Sequence, residues 1–363
     1  MNETPKVSVM VTLYNSAAYL NACLESLRRQ TFQDFEVVMP DGGSTDETPA
    51  LAQAAARTDS RFRYFPSDRY KSVSESRAEA LPLCRGKYVA ILDSDDMALP
   101  KRLEKQTRFM DKYPDTALLA TYYRVINAYN WPLRLSPVQF THDVEMRWRL
   151  TFGNCLTHST VMFRKDIALA VGGYDATVRA GEDAELYTRL MERGRVEILP
   201  YVLTAWRFHK KSLQQTEPTA YKIDFIKTVC RSLKAQLGED VSLPVAAALF
   251  NQGIRPAESA AVFLDALRLV QRAIPFFNNT LTKPALERRF LARTAFLQLF
   301  DLGSKNCGQG WWPTVDAEWK KALEALTRLP LNYRWFRDAG LLWYYKKILK
   351  SDPRVFRPLM ETL

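Results

Sequence analysis

The residues best suited to chemistry sit just after short apolar runs. Thr12-Leu13-Tyr14-Asn15 closes the first run, Asp41-Gly42-Gly43-Ser44-Thr45-Asp46 follows the second, and Asp93-Ser94-Asp95-Asp96 follows a later one. Three carboxylates within the four residues 93–96 repel one another unless a cation or open solvent relieves them. Their hard oxygens suit Mg²⁺ or Mn²⁺. Acid- and hydroxyl-bearing loops on one edge therefore suit a nucleotide and a metal ion. Ser44, Thr45 and Asp46 also have the simpler reading of turn and helix-cap residues. Gly181-Glu182-Asp183 opens a helical segment, where acids suit the positive end of the helix dipole.

The elements that must position these loops alternate along the chain. Val7–Leu13 reads as a buried parallel strand, and Ala17–Arg29 as a helix with Leu20, Leu24 and Leu27 on one face. Phe35–Met39, Arg61–Phe65 and Lys87–Leu92 read as further strands, and Thr48–Arg57, Ser74–Leu81 and Leu99–Lys112 as helices. This order predicts an α/β fold, a mostly parallel doubly wound sheet with helices on both faces. Ligands bind beyond the carboxyl ends of such strands. From about 115 to 209 the pattern is mixed, with Leu118–Tyr123, Ser159–Phe163 and Val202–Phe208 reading as strands and 181–193 as a helix. Residues 214–218 read as a linker. Helical segments follow at about 219–237, 244–251, 257–273, 283–302, 315–329 and 333–350. The expected division is an α/β domain over 1–213 and an α-helical domain over 219–363.

The chain has 363 residues, a net charge of +11 and 47% hydrophobic residues, which excludes a disordered or collagen-like chain. Residues 1–209 hold 27 basic and 26 acidic residues, whereas 210–363 hold 24 and 14, so the basic excess belongs to the C-terminal part. Something anionic is expected to meet that part. Five widely spaced cysteines without a CxxC pair argue against a disulfide framework or a thiolate zinc site. No apolar run is long enough to span a membrane, and the N-terminal residues lack a signal-peptide pattern. These features lead to the expectation of a reduced, cytoplasmic protein.

Taken in order, four stretches resemble the family 2 inverting glycosyltransferases with a GT-A fold: VSVMVTLYNSAAYLNACLESLRRQTFQDFEVVMPDGGSTDET, SESRAEA, GKYVAILDSDDMALPKRLEKQ and GEDAELYTRL. The resemblance covers about residues 5–210. It implies a Rossmann-like GT-A domain that moves a sugar from a nucleotide-sugar donor, most of all a UDP-sugar, with Mn²⁺ or Mg²⁺. The acceptor would be a hydroxyl of a glycan or lipid-linked acceptor in cell-surface polysaccharide synthesis. By the same resemblance Asp41 meets the uracil N–H, Tyr14 packs by the base and Thr12 touches it from the strand end. Arg77 binds the nucleotide or holds the carboxylate cluster, its simpler role being an ion pair with Asp41 or Asp93. Within the DxD, Asp93 faces the ribose, Ser94 lies between, and Asp95 binds the metal, with Asp96 in support. In the Glu182-Asp183 pair, Asp183 is the general base for the acceptor hydroxyl. His209 completes the metal shell and Lys210 contacts phosphate. His158 lies in a strand under the acceptor site, core packing being its simpler role. Two departures stand out. Pro40 replaces a common acid and lacks an N–H. Ala78-Glu79 replaces a small polar pair after Arg77.

The C-terminal third is less legible. Trp311, Trp312, Trp319, Tyr333, Trp335, Phe336, Trp343, Tyr344 and Tyr345 lie among arginines and lysines. That mixture suits the inner membrane surface, where a lipid-linked acceptor would sit, or a helical bundle that packs on the N-terminal domain or forms a homo-oligomer. Nothing resembles a nucleic-acid module, so no nucleic-acid partner is expected. Two other functions compete with sugar transfer. A nucleotidyltransferase making a nucleotide sugar needs a Gly-rich, basic loop after the first strand, where this chain has Leu13-Tyr14-Asn15-Ser16-Ala17. A non-catalytic basic scaffold would have no use for the carboxylates at 93, 95 and 183.

Overall fold

A computed structural model describes residues 4–135, 142–209, 218–249 and 257–281, with scattered positions from 287 to 322. The chain divides into two compact units: 1–150 with 154–228, and 151–153 with 229–363.

The first unit is built on one sheet. Strands β1 (Val7–Met10), β2 (Phe35–Pro40), β3 (Phe62–Phe65) and β4 (Tyr88–Ile91) lie in the order β3-β2-β1-β4, all parallel. Helices α1 (Ala17–Arg28), α2 (Thr48–Thr58) and α3 (Val73–Ala80) make the crossovers. Chain order thus runs outward from β1 to β3 and returns to the other side of β1. The point where strand order reverses lies between β1 and β4, beside Tyr14 and Asp93.

Beyond β4 the sheet becomes mixed. Its further strands are β5 (Met97–Ala98), β6 (Thr116–Ile126), β7 (Pro132–Leu135), β8 (Met162–Arg164) and β9 (Arg195–Arg207). β8 runs antiparallel to β4 and β6, β9 runs parallel to β6, and β7 folds back on β6 as a hairpin. Parallel pairing therefore dominates the half that carries the first loops. Helices α4 (Arg102–Lys112), α5 (Asp143–Thr151), α6 (Lys165–Ala170) and α7 (Glu182–Leu190) complete the unit.

Alternation along β1 explains the two layers. Val7 and Val9 join a cluster with Leu20, Leu24, Ala52 and Leu103 of α1, α2 and α4. Met10 joins the opposite cluster with Ala80, Met146, Leu186 and Leu190 of α3, α5 and α7. Side chains of period two thus feed cores on both faces, which buries β1, β2 and β4 completely.

Three expectations need correction. The stretch 159–163 is not a continuous strand: His158–Thr160 forms a 3₁₀ turn, and pairing starts at Met162. Thr160 donates its hydroxyl to Thr157 O at 2.7 Å, an alternative to the ladder. His158 therefore sits in a turn, not a strand. Val202–Arg207 is the second half of a strand that starts at Arg195, and Phe208 lies just past its end.

In the helical part, α8 (Pro218–Leu237), α9 (Leu243–Leu249) and α10 (Ala260–Asn279) are observed. Ser259 caps α10, accepting from Val262 N at 3.4 Å. Its stripe of Phe263, Ala266, Leu267, Val270, Ala273 and Phe277 is buried, as the amphipathic pattern requires. Trp319 is buried and donates its indole N–H to Leu299 O at 3.2 Å, so it belongs to a core. The aromatic and basic residues from 333 onward lie outside the described residues. Among the described residues no helix is long and apolar enough to cross a membrane.

Candidate functional site

The loop after β2 is held by its own carboxylate. Asp41 is buried; its Oδ1 accepts from Ser44 N and Ser44 Oγ, each at 2.8 Å, and its Oδ2 accepts from Tyr64 Oη at 2.8 Å. Ser44 therefore secures Asp41 rather than capping a helix. Asp46 accepts from Thr48 N at 2.9 Å in the turn that leads into α2, but the N-cap position is Glu47, which makes no side-chain cap. Each oxygen of a carboxylate has two lone pairs, so Asp41 keeps acceptor capacity on Oδ2.

Backbone shape brings a further loop onto this one. Gly43 has φ +84°, and a Cβ there would lie 2.4 Å from Arg69 O. Only glycine tolerates both conditions. The 69–71 backbone thus approaches closely, and Tyr70 meets Tyr14 edge-to-face at 5.2 Å between centroids. Tyr14 is half-exposed, so it faces solvent rather than core. Thr12 Oγ1 is buried without a hydrogen-bond partner. Pro40 has no N–H to donate, and its carbonyl accepts from Leu13 N at 2.8 Å.

Hydrogen bonds join the three loops. Asn15 N donates to Ser44 Oγ at 2.9 Å, Asn15 Oδ1 accepts from Thr45 N at 2.9 Å, and Ser16 Oγ meets Ser94 Oγ at 2.7 Å.

Arg77 stands one turn into α3, whose start is fixed by a Ser72–Glu75 capping box. Its buried guanidinium donates Nη2 to Asp93 Oδ1 at 2.7 Å and Nη1 to Glu182 Oε1. It does not reach Asp41, the other partner it could have had. Burial works against its charge, yet Glu182 and Asp93 outweigh that and raise its pKa. Glu182 and Asp183 open α7 behind Gly181, whose φ is +77°. Asp183 accepts from Asn154 Nδ2 at 2.8 Å and from Ala184 N at 2.8 Å. Burial, then Glu182, push its carboxyl up to about 7.

The acidic loop continues this crowding. Asp93 N donates to Ser159 Oγ at 2.9 Å. Desolvation raises the Asp93 pKa against the pull of Arg77 and with the push of Asp95. Asp96 is buried and accepts from Arg207 N at 2.7 Å; burial, then Asp95 and Asp93, raise its pKa well above the carboxylate range. Asp95 is more accessible, and its Oδ2 lies 2.8 Å from His209 Nε2.

His158 has both ring nitrogens engaged, Nδ1 with Tyr187 Oη at 2.6 Å and Nε2 with Tyr174 Oη at 3.1 Å. Burial, then Arg77 and Arg102, lower its pKa well below the usual value, so it is a neutral, fixed ring. Lys210 lies outside the described residues.

The structure thus brings Arg77, Asp93, Glu182 and Asp183 into one network and Asp95, Asp96 and His209 into its continuation. Asp41 and Tyr14 flank them across the loop bonds. Sequence reading missed Tyr64, Asn154, Ser159 and Arg207, which hold these groups. Only Arg207 had a signal, its place two residues before His209.

Among the described residues no three of His, Cys, Asp and Glu converge as a ready-made metal cage. Asp95 and His209 still fit a cation of the Mg²⁺ type, which takes one or two protein ligands and completes its shell with phosphate oxygens and water. The donor set is a hard carboxylate oxygen and an imidazole, each within reach of the other.

Comparison with known proteins agrees with this geometry. The sequence family described as glycosyl transferase family 2 matches residues 8–171. The amylovoran biosynthesis glycosyltransferase AmsE of Erwinia amylovora is 30% identical over 201 residues, 54% of this chain and 74% of that protein. Residues 1–349 of Staphylococcus aureus TarS, solved with UDP, superpose with a TM-score of 0.53 at 17% identity, covering 89% of each chain. Against the longer TarS chain the match spans 54% of its length. The mannosyltransferase PcManGT of Pyrobaculum calidifontis, solved with GDP-Man and Mn²⁺, gives a TM-score of 0.50 at 17% identity, over 90% of this chain and 85% of that one. At such identities these structures show a shared fold, a GT-A sheet followed by helices.

Proposed function

The chain belongs to glycosyl transferase family 2 and is a glycosyltransferase; from that premise we propose that it transfers a sugar from a UDP-sugar to a hydroxyl of a glycan or lipid-linked acceptor, with inversion at the anomeric carbon. The observation that carries this reading is the Asp183 carboxyl, held by Asn154 and the Ala184 amide beside the Arg77–Glu182–Asp93 network and raised to about 7. Its placement matches the need for one general base in a single displacement. A hydrolase would need two carboxylates flanking the bond.

In this reading Asp41 accepts the uracil N–H on its remaining lone pair, while Tyr14 and Thr12 border the base. Asp93 and Ser94 face the ribose. Asp183 takes the proton of the acceptor hydroxyl as that oxygen bonds to the anomeric carbon. The bond from that carbon to the diphosphate oxygen breaks, and its electron pair leaves with the diphosphate. Asp95 and His209 would hold Mn²⁺ or Mg²⁺, which supplies positive charge against the departing diphosphate. Lys210 and the basic C-terminal residues serve phosphate and the acceptor side, at the cytoplasmic face of the membrane.

The test is release of nucleoside diphosphate from UDP-, GDP- and dTDP-sugars in the presence of Mn²⁺. Turnover of a UDP-sugar alone, or above the others, supports the donor class. Turnover of a GDP- or dTDP-sugar instead would overturn it.

A further inference from the structure

Arg207 ends β9, two residues before His209, and is fully buried. A buried guanidinium is costly unless its donors are met. Nε donates to Asp95 O at 2.6 Å. Nη1 donates to Asn127 O at 3.0 Å and Ala128 O at 3.2 Å, in the turn of the β6–β7 hairpin. The Arg207 amide donates to Asp96 Oδ1 at 2.7 Å. Its Cζ lies 4.6 Å over the Tyr19 ring, and the same ring packs on His209 at 4.9 Å between centroids. Nη2 is buried without a hydrogen-bond partner.

A guanidinium aimed at main-chain carbonyls fixes backbone rather than neutralising a side chain. Its planar fork spans two chain segments at once, which the point charge of lysine does not do. We propose that Arg207 is the positioning residue of this site: it locks the main chain at Asp95, the turn at 127–128 and, through the shared Tyr19 ring, the orientation of His209. Asp95 Oδ2 and His209 Nε2 meet at 2.8 Å because of it. The inference rests on the reading of Asp95 and His209 as the cation-binding pair. Groups that orient metal ligands are worth about 10–100-fold in metal affinity or activity.

The experiment is calorimetric titration of the full chain with UDP, with and without Mn²⁺, for the unaltered protein, Arg207→Lys and Tyr19→Leu. Thermal melts of each protein accompany it. The unaltered protein is expected to bind UDP more tightly with Mn²⁺. In Arg207→Lys that gain should shrink by about 10–100-fold, while metal-free UDP affinity stays unchanged. A merely structural role would lower the melt and the metal-free affinity together and leave the Mn²⁺ gain intact; that result overturns the inference. If Arg207→Lys does not fold, Tyr19→Leu decides by the same two outcomes. An unaltered protein with no Mn²⁺ gain would instead overturn the reading of Asp95 and His209, and the inference with it.

Discussion

Asp41 and Asp93 end strands that flank β1 on either side, yet their carboxylates are held in opposite ways. Asp41 takes its hydrogen bonds from neutral donors, the Ser44 amide, the Ser44 hydroxyl and the Tyr64 phenol. Asp93 shares one guanidinium with Glu182, and Asp95, Asp96 and Asp183 crowd the same region. The first side is complete as it stands. The second holds more negative charge than its one bridging cation offsets, and it answers by raising pKa values. The difference teaches that the loop after β2 satisfies its carboxylate with neutral donors already in place, whereas the loop after β4 crowds carboxylates that, in the proposed reading, a cation would relieve.

Breaking the acidic side should have the larger consequences. Asp183→Asn keeps the shape of the group but removes the base; turnover should fall by about 10²–10⁴, while UDP binding measured by calorimetry survives. Equal turnover would remove Asp183 from the mechanism. Arg77→Gln leaves Asp93 and Glu182 without their common cation, and breaking a buried pair on one side costs about 3–5 kcal/mol. Chemical denaturation should show that loss, and added Mn²⁺ with UDP should restore part of it.

The raised Asp183 carboxyl also gives a pH signature. Its folded value is about 7 against an ordinary 3.8. The neutral form is the one the fold favours, so this contribution to stability is fully present below the unfolded value and is lost as pH rises through about 7. Turnover should run the other way, rising with pH through the same range as the base form appears. Asp183→Asn should flatten the stability change in that window. On the β2 side the effect should be smallest: Tyr64→Phe removes one donor to Asp41, about 1.5 kcal/mol in a melt, with no change in the metal dependence of UDP binding. A change in metal dependence would mean that the two sides are not separate.

Much of the frame was legible in the sequence because strand ends announce themselves. Apolar runs stop at Asp, Gly and Ser, and the reversal of strand order between β1 and β4 then brings those stops together. The region from 115 to 209 was legible only in part: Leu118–Tyr123 falls inside β6 and 181–193 contains α7, but α5 and β7 went unread, for two physical reasons. Helix α5 buries Val144, Met146, Trp148 and Leu150, an every-second-residue pattern that mimics a strand because the helix is covered on more than one side. Strand β7 spans only Pro132–Leu135 and is exposed throughout, too short a run to announce itself as a strand. Within the site, the acids were legible by type and position. Their holders were not: Tyr64, Asn154 and Arg207 are ordinary residues whose roles depend on contacts made 23, 29 and 112 positions away. Arg77 shows the intermediate case, a residue singled out by pattern whose partner among two candidate aspartates only the fold could settle.

The most direct test of a preformed base pocket beside a cation-dependent phosphate site is a paired titration with uridine and UDP, each with and without Mn²⁺. Uridine should bind with one affinity under both conditions, and UDP should gain with Mn²⁺. UDP binding indifferent to Mn²⁺, or uridine binding that requires it, would contradict the division of the site into these two halves.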